Sequence, residues 1–160
     1  MATDPFIAAA RYIVDESLAD MRKSLDGLPA EALNWRPAGE ESNSVAVLTT
    51  HVMHSTRSWL SVAVGAPLPD RDRASEFRAS ANDPGALLSF LDDMSADCLE
   101  LLAPREGIDW AALRKTHTRP GDAPEDVPAA FALVHAVEHL REHMAHLSLT
   151  RQLWENRNAK

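Results

Sequence analysis

Apolar positions recur at helical spacing in four long stretches of this chain. These stretches cover residues 4–27, 45–65 and 83–104, and the last begins at Val127-Pro128 and continues to about residue 155. The first and third open with aspartate followed by proline, a typical helix start, because aspartate caps free N–H groups and proline fits the first helical position. Glycine, which commonly ends helices, follows the first two stretches. The pattern therefore predicts four long helices.

The connections between these helices differ in length and character. Residues 28–37 have the pattern of a short helical turn, and we expect Trp35 to close one end of the bundle. Residues 66–82 lack clear periodicity and are interpreted as a surface connection and a candidate lid, whereas 105–126 are predicted to form a long crossover loop. No segment has a convincing strand pattern. The sequence thus predicts an all-α four-helix bundle with long crossover connections, as a single domain over residues 1–160.

Composition and charge restrict the possible partners and location of the protein. With 24 acidic and 16 basic residues the formal net charge is −8, which argues against binding nucleic acid or an anionic membrane. No apolar run approaches the roughly 20 residues that span a bilayer, and the N-terminus lacks a signal-peptide pattern. We therefore expect a cytoplasmic protein. The single cysteine, Cys98, lies among apolar residues and is interpreted as a small core residue.

Histidines supply the candidate chemistry. Six of the seven lie in two predicted helices, where they are His51 and His54, then His135, His139, His143 and His146. The spacings of four, four and three in the last helix place these side chains along one stripe. A single histidine on such a face is more typical of a core or surface position. Their concentration instead favours a metal site between two facing helices, since imidazole is a common ligand of divalent metals.

A short peptidase motif also matches this stripe. Residues 139–143 fit the H-x-x-E-H pattern of inverted zinc peptidases, and residues 135–139 fit it as well. Two overlapping matches mainly indicate that glutamate and histidine alternate along the helix. The peptidases that carry the motif are much larger proteins, so the sequence does not favour this activity.

The order of motifs along the chain is more informative. A Leu-Asn-Trp-Arg-Pro element at 33–37 precedes a Ser-Val-Ala-Val-Leu helix start at 44–48 and His51, and the pair His139 and His143 comes late. Over nearly the full chain this order resembles the DinB-like (DinB/YfiT) superfamily of bacterial four-helix metalloproteins. In that family one histidine of the second helix and an i, i+4 pair of the last helix hold a divalent metal, usually zinc or nickel. The resemblance implies that these three histidines are the ligands.

The residues after the histidine pair depart from the family pattern. Many members have Arg-Gly-Gln there, whereas this chain has Met144, Ala145 and His146. His146 is therefore a candidate extra ligand, proton carrier or orienting partner. Glu142 is a candidate general base, and Glu142 with His146 is an alternative ligand pair of correct spacing. Like Glu138, Glu142 could equally belong to a solvated helix face, where charges pair only weakly.

The proposed ligands restrict the function. Three neutral imidazoles leave a coordination position for an activated water or for a thiolate. Characterised members of the family include enzymes that use low-molecular-weight thiols as cosubstrates. The resemblance therefore implies a metal-dependent enzyme of the thiol S-transferase or hydrolase type, with a small-molecule substrate and such a thiol as a candidate cosubstrate.

Two other functions stay open at this point. One is a non-catalytic metal-binding or stress-associated protein on the same bundle, and the other is a metal-free helical interaction module. An exposed apolar face on one long helix would favour a homodimer, which we expect.

Overall fold

The computed structural model describes residues 3–116 and 125–157, and four long helices dominate this part of the chain. A 3-10 turn at Gly39–Glu41 precedes the second of them. In chain order the other elements are α1 (Pro5–Leu25), α2 (Ala30–Asn34), α3 (Val45–Val64), α4 (Arg73–Glu76), α5 (Pro84–Leu101), β1 (Leu113–Lys115), β2 (Asp126–Pro128) and α6 (Ala129–Asn156). The predicted all-α class is confirmed, and α1, α3, α5 and α6 are the four predicted helices.

Local sequence explains where the long helices begin and end. Asp4 and Asp83 each accept hydrogen bonds from N–H groups in the first turn of α1 and α5, and Ser44 caps α3 in the same way. At the other end of α3, Gly65 has a φ of 70°, the left-handed conformation that commonly stops a helix. These boundaries therefore agree with the predicted ones to within a few residues.

Contacts along α6 define how the helices run. Arg141 donates a hydrogen bond to Ser17 of α1 (3.4 Å), and Arg151, farther along α6, donates to backbone carbonyls near the end of α1. The later residue of α6 contacts the later part of α1, so α1 and α6 are parallel. The helix α3 packs against α5 and α6, as α1 does, so α1 and α3 lie at opposite corners of the bundle.

The direction of α5 determines the path of the connection that precedes it. The His54 ring lies 5.6 Å from that of Phe90, and farther along both helices Arg57 pairs with Asp97 at 3.1 Å. The helices α3 and α5 are therefore parallel. Residues 66–82, which we call the crossover segment, must return along the length of the bundle to join them.

The interior of the bundle is apolar. Burying each large aliphatic side chain contributes about 1.5–3 kcal/mol to folding. The fully buried apolar side chains include Ile7, Val14, Met21, Leu25, Met53, Leu60, Leu91, Leu102, Leu140 and Leu147. Cys98 is buried among them, and burial raises its pKa to about 12. It is thus a core residue, as expected, and its thiolate is unavailable at neutral pH.

Trp35 closes one end of the bundle as predicted. Its ring meets that of Trp154, near the end of α6, edge to face at 5.7 Å.

No helix among the described residues is long and apolar enough to cross a membrane.

The predicted crossover loop over 105–126 and the predicted start of the last helix need correction. Strands β1 and β2 form an antiparallel pair, so Val127-Pro128 ends a strand and α6 begins at Ala129. Three-residue strands are too short to show an alternating pattern, which is why periodicity does not detect them. The remaining residues of the predicted loop, 117–124, which include His117, lie outside the described residues.

The end of α3 provides a test of this packing. A Cβ added at Gly65 would meet the guanidinium group of Arg114, whereas Gly27 has the same left-handed backbone (φ 73°) and no neighbour within 4 Å. Gly27→Ala should cost about 1–2 kcal/mol for the left-handed conformation alone. Gly65→Ala should cost a similar amount in urea unfolding, because the added Cβ meets the flexible end of the Arg114 side chain, which can shift at little cost. A much larger loss for Gly65→Ala than for Gly27→Ala would contradict this prediction.

Candidate metal centre

Three histidines from two helices meet in the interior of the bundle. Helix α3 supplies His51, and α6 supplies His139 and His143, one turn apart on the same face. One ring nitrogen of each lies within 4.8 Å of those of the other two. The ring centroid of His51 is 5.2 Å from each of the other rings, which are 4.4 Å apart. The structure therefore brings together the three residues predicted as ligands.

Two buried ring nitrogens of this cluster have no hydrogen-bond partner in the protein. His51 is only 5% exposed, and the Nδ1 atoms of His139 and His143 are buried without a hydrogen-bond partner in the protein. Buried polar atoms of native proteins nearly always have a partner, which can be a bound ion or water. Three imidazoles in this arrangement fit a divalent cation of the borderline class.

The protonation state of the cluster suits metal binding. Burial, together with the nearby His143 and His51 rings, lowers the pKa of His139 to about 3. Burial also lowers the pKa of His143, and the adjacent His51 ring acts in the same direction. Since neutral imidazole is the form that binds metals, these two rings are ready to act as ligands near neutral pH.

Glu76, at the end of α4, forms a buried ion pair with Arg71 and a hydrogen bond with His51. The Oε2 atom of Glu76 lies 2.8 Å from His51 Nδ1, and Arg71 donates from Nε to Oε1 at 2.7 Å and from a terminal nitrogen to Oε2 at 2.9 Å. Burial by itself raises the pKa of Glu76, but the hydrogen bonds from His51 and Arg71 outweigh it and bring the pKa below its ordinary value. The carboxylate is thus ionised, so His51 Nδ1 donates and Nε2 is left for a ligand.

Glu76 is not among the site residues that the sequence predicts. The crossover segment is interpreted from sequence as a surface connection, yet Glu76 is 2% exposed and the Phe77 ring lies 4.6 Å from that of His51. The interpretation is wrong for these residues because α4 is a single turn, too short to show periodicity. The only signal present was an Arg and a Glu five residues apart, which is common on protein surfaces. The crossover segment, the predicted candidate lid, does contact the site through Glu76 and Phe77.

The other candidate residues of α6 lie outside the cluster. Glu142 and His146 are both exposed, and the His146 ring is 5.6 Å from that of His143. Among the residues described, the group that could hold a metal contains neither of them, so the offset ligand pair is not brought together with His51. Their catalytic roles stay predictions.

Two further histidines, His135 and His54, contact aromatic rings. His135 stacks on Phe131 and meets Trp59 edge to face, with centroids 5.7 and 4.5 Å away. His54 lies against Phe90, and its burial lowers its pKa. Neither belongs to the three-histidine group.

The low pKa of His139 predicts how acid affects the metal-free protein. An unfolded chain protonates this histidine near pH 6.5, whereas the folded chain resists protonation down to about pH 3. Between these values the unfolded state binds the extra proton, so stability must fall as pH decreases. In urea unfolding with a chelator present, His139→Gln should weaken this dependence. An unchanged pH slope in the variant, relative to wild type, would contradict the prediction.

Comparisons with known proteins agree with this architecture. The model of the DinB superfamily matches residues 13–147. A crystal structure of a conserved protein from Enterococcus faecalis superimposes with a TM-score of 0.70, covering 91% of this chain and 95% of that chain at 16% identity. At this identity the likeness shows the fold alone. A search of curated proteins gives no match. The family match spans most of the sequence, and the chain belongs to the DinB superfamily.

Proposed function

We propose that the chain binds a divalent metal ion, zinc or nickel, through His51, His139 and His143. We further propose that it is a metal-dependent enzyme of the thiol S-transferase or hydrolase type, acting on a small molecule. The observation that carries the proposal is the convergence of three imidazole nitrogens within 4.8 Å of one another. Membership of the DinB superfamily supports it, since the sequence resemblance implies the same three ligands.

The chemistry follows from the number and state of the ligands. A divalent ion held by three imidazoles would keep an open coordination position and would supply Lewis-acid chemistry to a water or thiol. The chain's own residues prepare the site. Burial keeps His139 neutral, and Glu76 engages Nδ1 of His51, which leaves Nε2 for a ligand. A low-molecular-weight thiol is the proposed cosubstrate, because a soft sulfur ligand suits zinc.

Proton transfer is proposed for the exposed residues beside the cluster. His146 contacts His143 at its solvent side and can exchange protons with water, which suits a proton carrier. Glu142, the residue before His143, is exposed and is the proposed general base. Neither side chain belongs to the three-histidine group found among the described residues.

A specific observation favours a second candidate, a non-catalytic metal-binding or stress-associated protein. Glu76 is the buried carboxylate nearest the cluster, and both of its oxygens are already engaged by Arg71 and His51. It is also the one buried acidic side chain within residues 3–116 and 125–157. A carboxylate so constrained is poorly placed to accept a proton from a substrate.

We also propose that the protein is a homodimer. Four large apolar side chains on α6 are 44–65% exposed in the single chain, and a partner subunit would cover them: Phe131, Val134, Leu149 and Leu153. Sedimentation of the purified protein measures this state directly.

Metal binding should depend on each of the three histidines. After chelator treatment, the wild-type protein should bind one zinc or nickel ion per chain and melt at a higher temperature, since a ligand selective for the folded state stabilises it. His51→Ala should abolish both effects. His54→Ala, on the same helix but outside the cluster, is the matched control and should retain them. Unchanged stoichiometry in the His51 variant would remove the proposed site.

Thiols should distinguish the two candidate functions. In cobalt-substituted protein, adding glutathione, bacillithiol or mycothiol should change the visible absorption of the metal if sulfur enters the open position. We expect such a change with at least one of these thiols. A spectrum insensitive to all three would favour the non-catalytic candidate.

A further inference from the structure

The crossover segment contains two buried charged side chains that folding alone does not explain. Arg71 is 9% exposed and Glu76 is 2% exposed, although both lie in a connection between helices. Charged residues are almost never fully buried unless they are paired, and a buried pair contributes little net stability compared with apolar residues. The third member of this group, His51, is a proposed metal ligand.

We infer that Glu76, clamped by Arg71, is a positioning residue for His51, and that metal binding and docking of the crossover segment stabilise each other. This inference rests on the proposed function, because it assigns the crossover segment to the same metal centre.

The clamp holds Glu76 in one orientation. Two nitrogens of Arg71 reach the two carboxylate oxygens at 2.7 and 2.9 Å, the bidentate geometry that restricts rotation of a carboxylate. The short helix between them is itself capped, since Asp72 accepts a hydrogen bond from the Ser75 N–H at 3.1 Å. One turn of chain therefore presents a rigid acceptor to α3.

This acceptor determines which nitrogen of His51 is free. With Oε2 of Glu76 at 2.8 Å, a proton on Nδ1 makes a charge-assisted hydrogen bond, whereas a bare Nδ1 would face the carboxylate with lone pair against lone pair. The Phe77 ring packs against the imidazole at 4.6 Å and restricts it from a second side. Both contacts come from the crossover segment, so its docking selects the Nδ1–H tautomer.

The arrangement is specific to His51. The Nδ1 atoms of His139 and His143 are buried without any such acceptor. The two rings of α6 are placed by their own helix, while the ring of α3 is placed by the crossover segment. An undocked segment would therefore leave His51 without its orienting partner and expose the ring to water.

The coupling must act in both directions. A cation on Nε2 withdraws electron density from the ring, which makes Nδ1–H a stronger donor and strengthens its bond to Glu76. Because binding free energies are reciprocal, a segment that improves metal affinity is itself held more firmly when metal is bound. Metal should therefore reduce local opening of residues 66–82.

Glu76→Gln tests the positioning role through zinc affinity, measured by competition with a chromophoric chelator. Loss of the carboxylate should weaken zinc binding about 10- to 100-fold, the usual effect of removing an outer partner of a histidine ligand. Glu138→Gln is the matched control. Its carboxylate also lies near a histidine, 3.7 Å from His135 Nδ1, but is exposed and outside the cluster. The Glu138→Gln variant should bind zinc with the affinity of the wild-type protein.

Amide hydrogen exchange tests the coupling independently of affinity. Zinc should slow exchange across residues 66–82 of the wild-type protein, and the effect should shrink in Glu76→Gln at saturating zinc. The inference would be overturned if Glu76→Gln bound zinc with wild-type affinity, or if zinc did not change amide exchange in residues 66–82. Either result would leave the proposed metal site intact. Failure of the wild-type protein to bind zinc or nickel at all would overturn both.

Two further measurements apply if Glu76→Gln does not fold. The double variant Arg71→Met with Glu76→Gln removes both charges, so no unpaired charge stays buried, and it should show the same loss of affinity. In the wild-type protein, nitrogen-15 NMR of the imidazole side chains should show His51 with its proton on Nδ1. A proton on Nε2 would overturn the positioning role.

Discussion

The packing of α3 against α6 is the contact on which the site depends. It places His51 opposite His139 and His143, and neither helix alone supplies three converging nitrogens. Apolar side chains of both helices, among them Met53 and Leu140, are fully buried. The packing that stabilises the bundle also buries His139 and His143, and this burial lowers their pKa because a charged ring is costly in such surroundings.

The polar groups of this interior are satisfied unequally. Glu76 meets Arg71 and His51 in a closed group of hydrogen bonds, whereas His139 and His143 each keep a buried nitrogen without a partner. Unsatisfied buried atoms lower stability, so their retention in a cluster of three histidines is typical of a functional site rather than of a core. The crossover segment thus orients the His51 ring, whereas α6 presents the rings of His139 and His143 with a nitrogen free for a ligand.

Much of the fold, and the shared face of His139 and His143, was predictable because both depend on local spacing, whereas the choice of His51 came from the family resemblance. Capping residues such as Asp4 and Asp83 mark helix starts, and an i, i+4 pair such as His139 and His143 shares a face in any helix. The role of Glu76 was not predictable, since it arises from a contact between distant segments and a helix of one turn. The strands β1 and β2 were missed for the same reason of length. Spacing alone also could not decide whether exposed neighbours such as His146 take part.

X-ray absorption at the zinc edge of the metal-loaded protein measures most directly whether α3 and α6 form one metal centre. We expect three imidazole ligands at about 2.0–2.1 Å, the usual zinc–nitrogen distance, with one further light atom or sulfur. In His51→Ala the spectrum should lose one imidazole or the metal should be absent. A wild-type spectrum with no more than one imidazole, or one unaffected by loss of His51, would contradict this expectation.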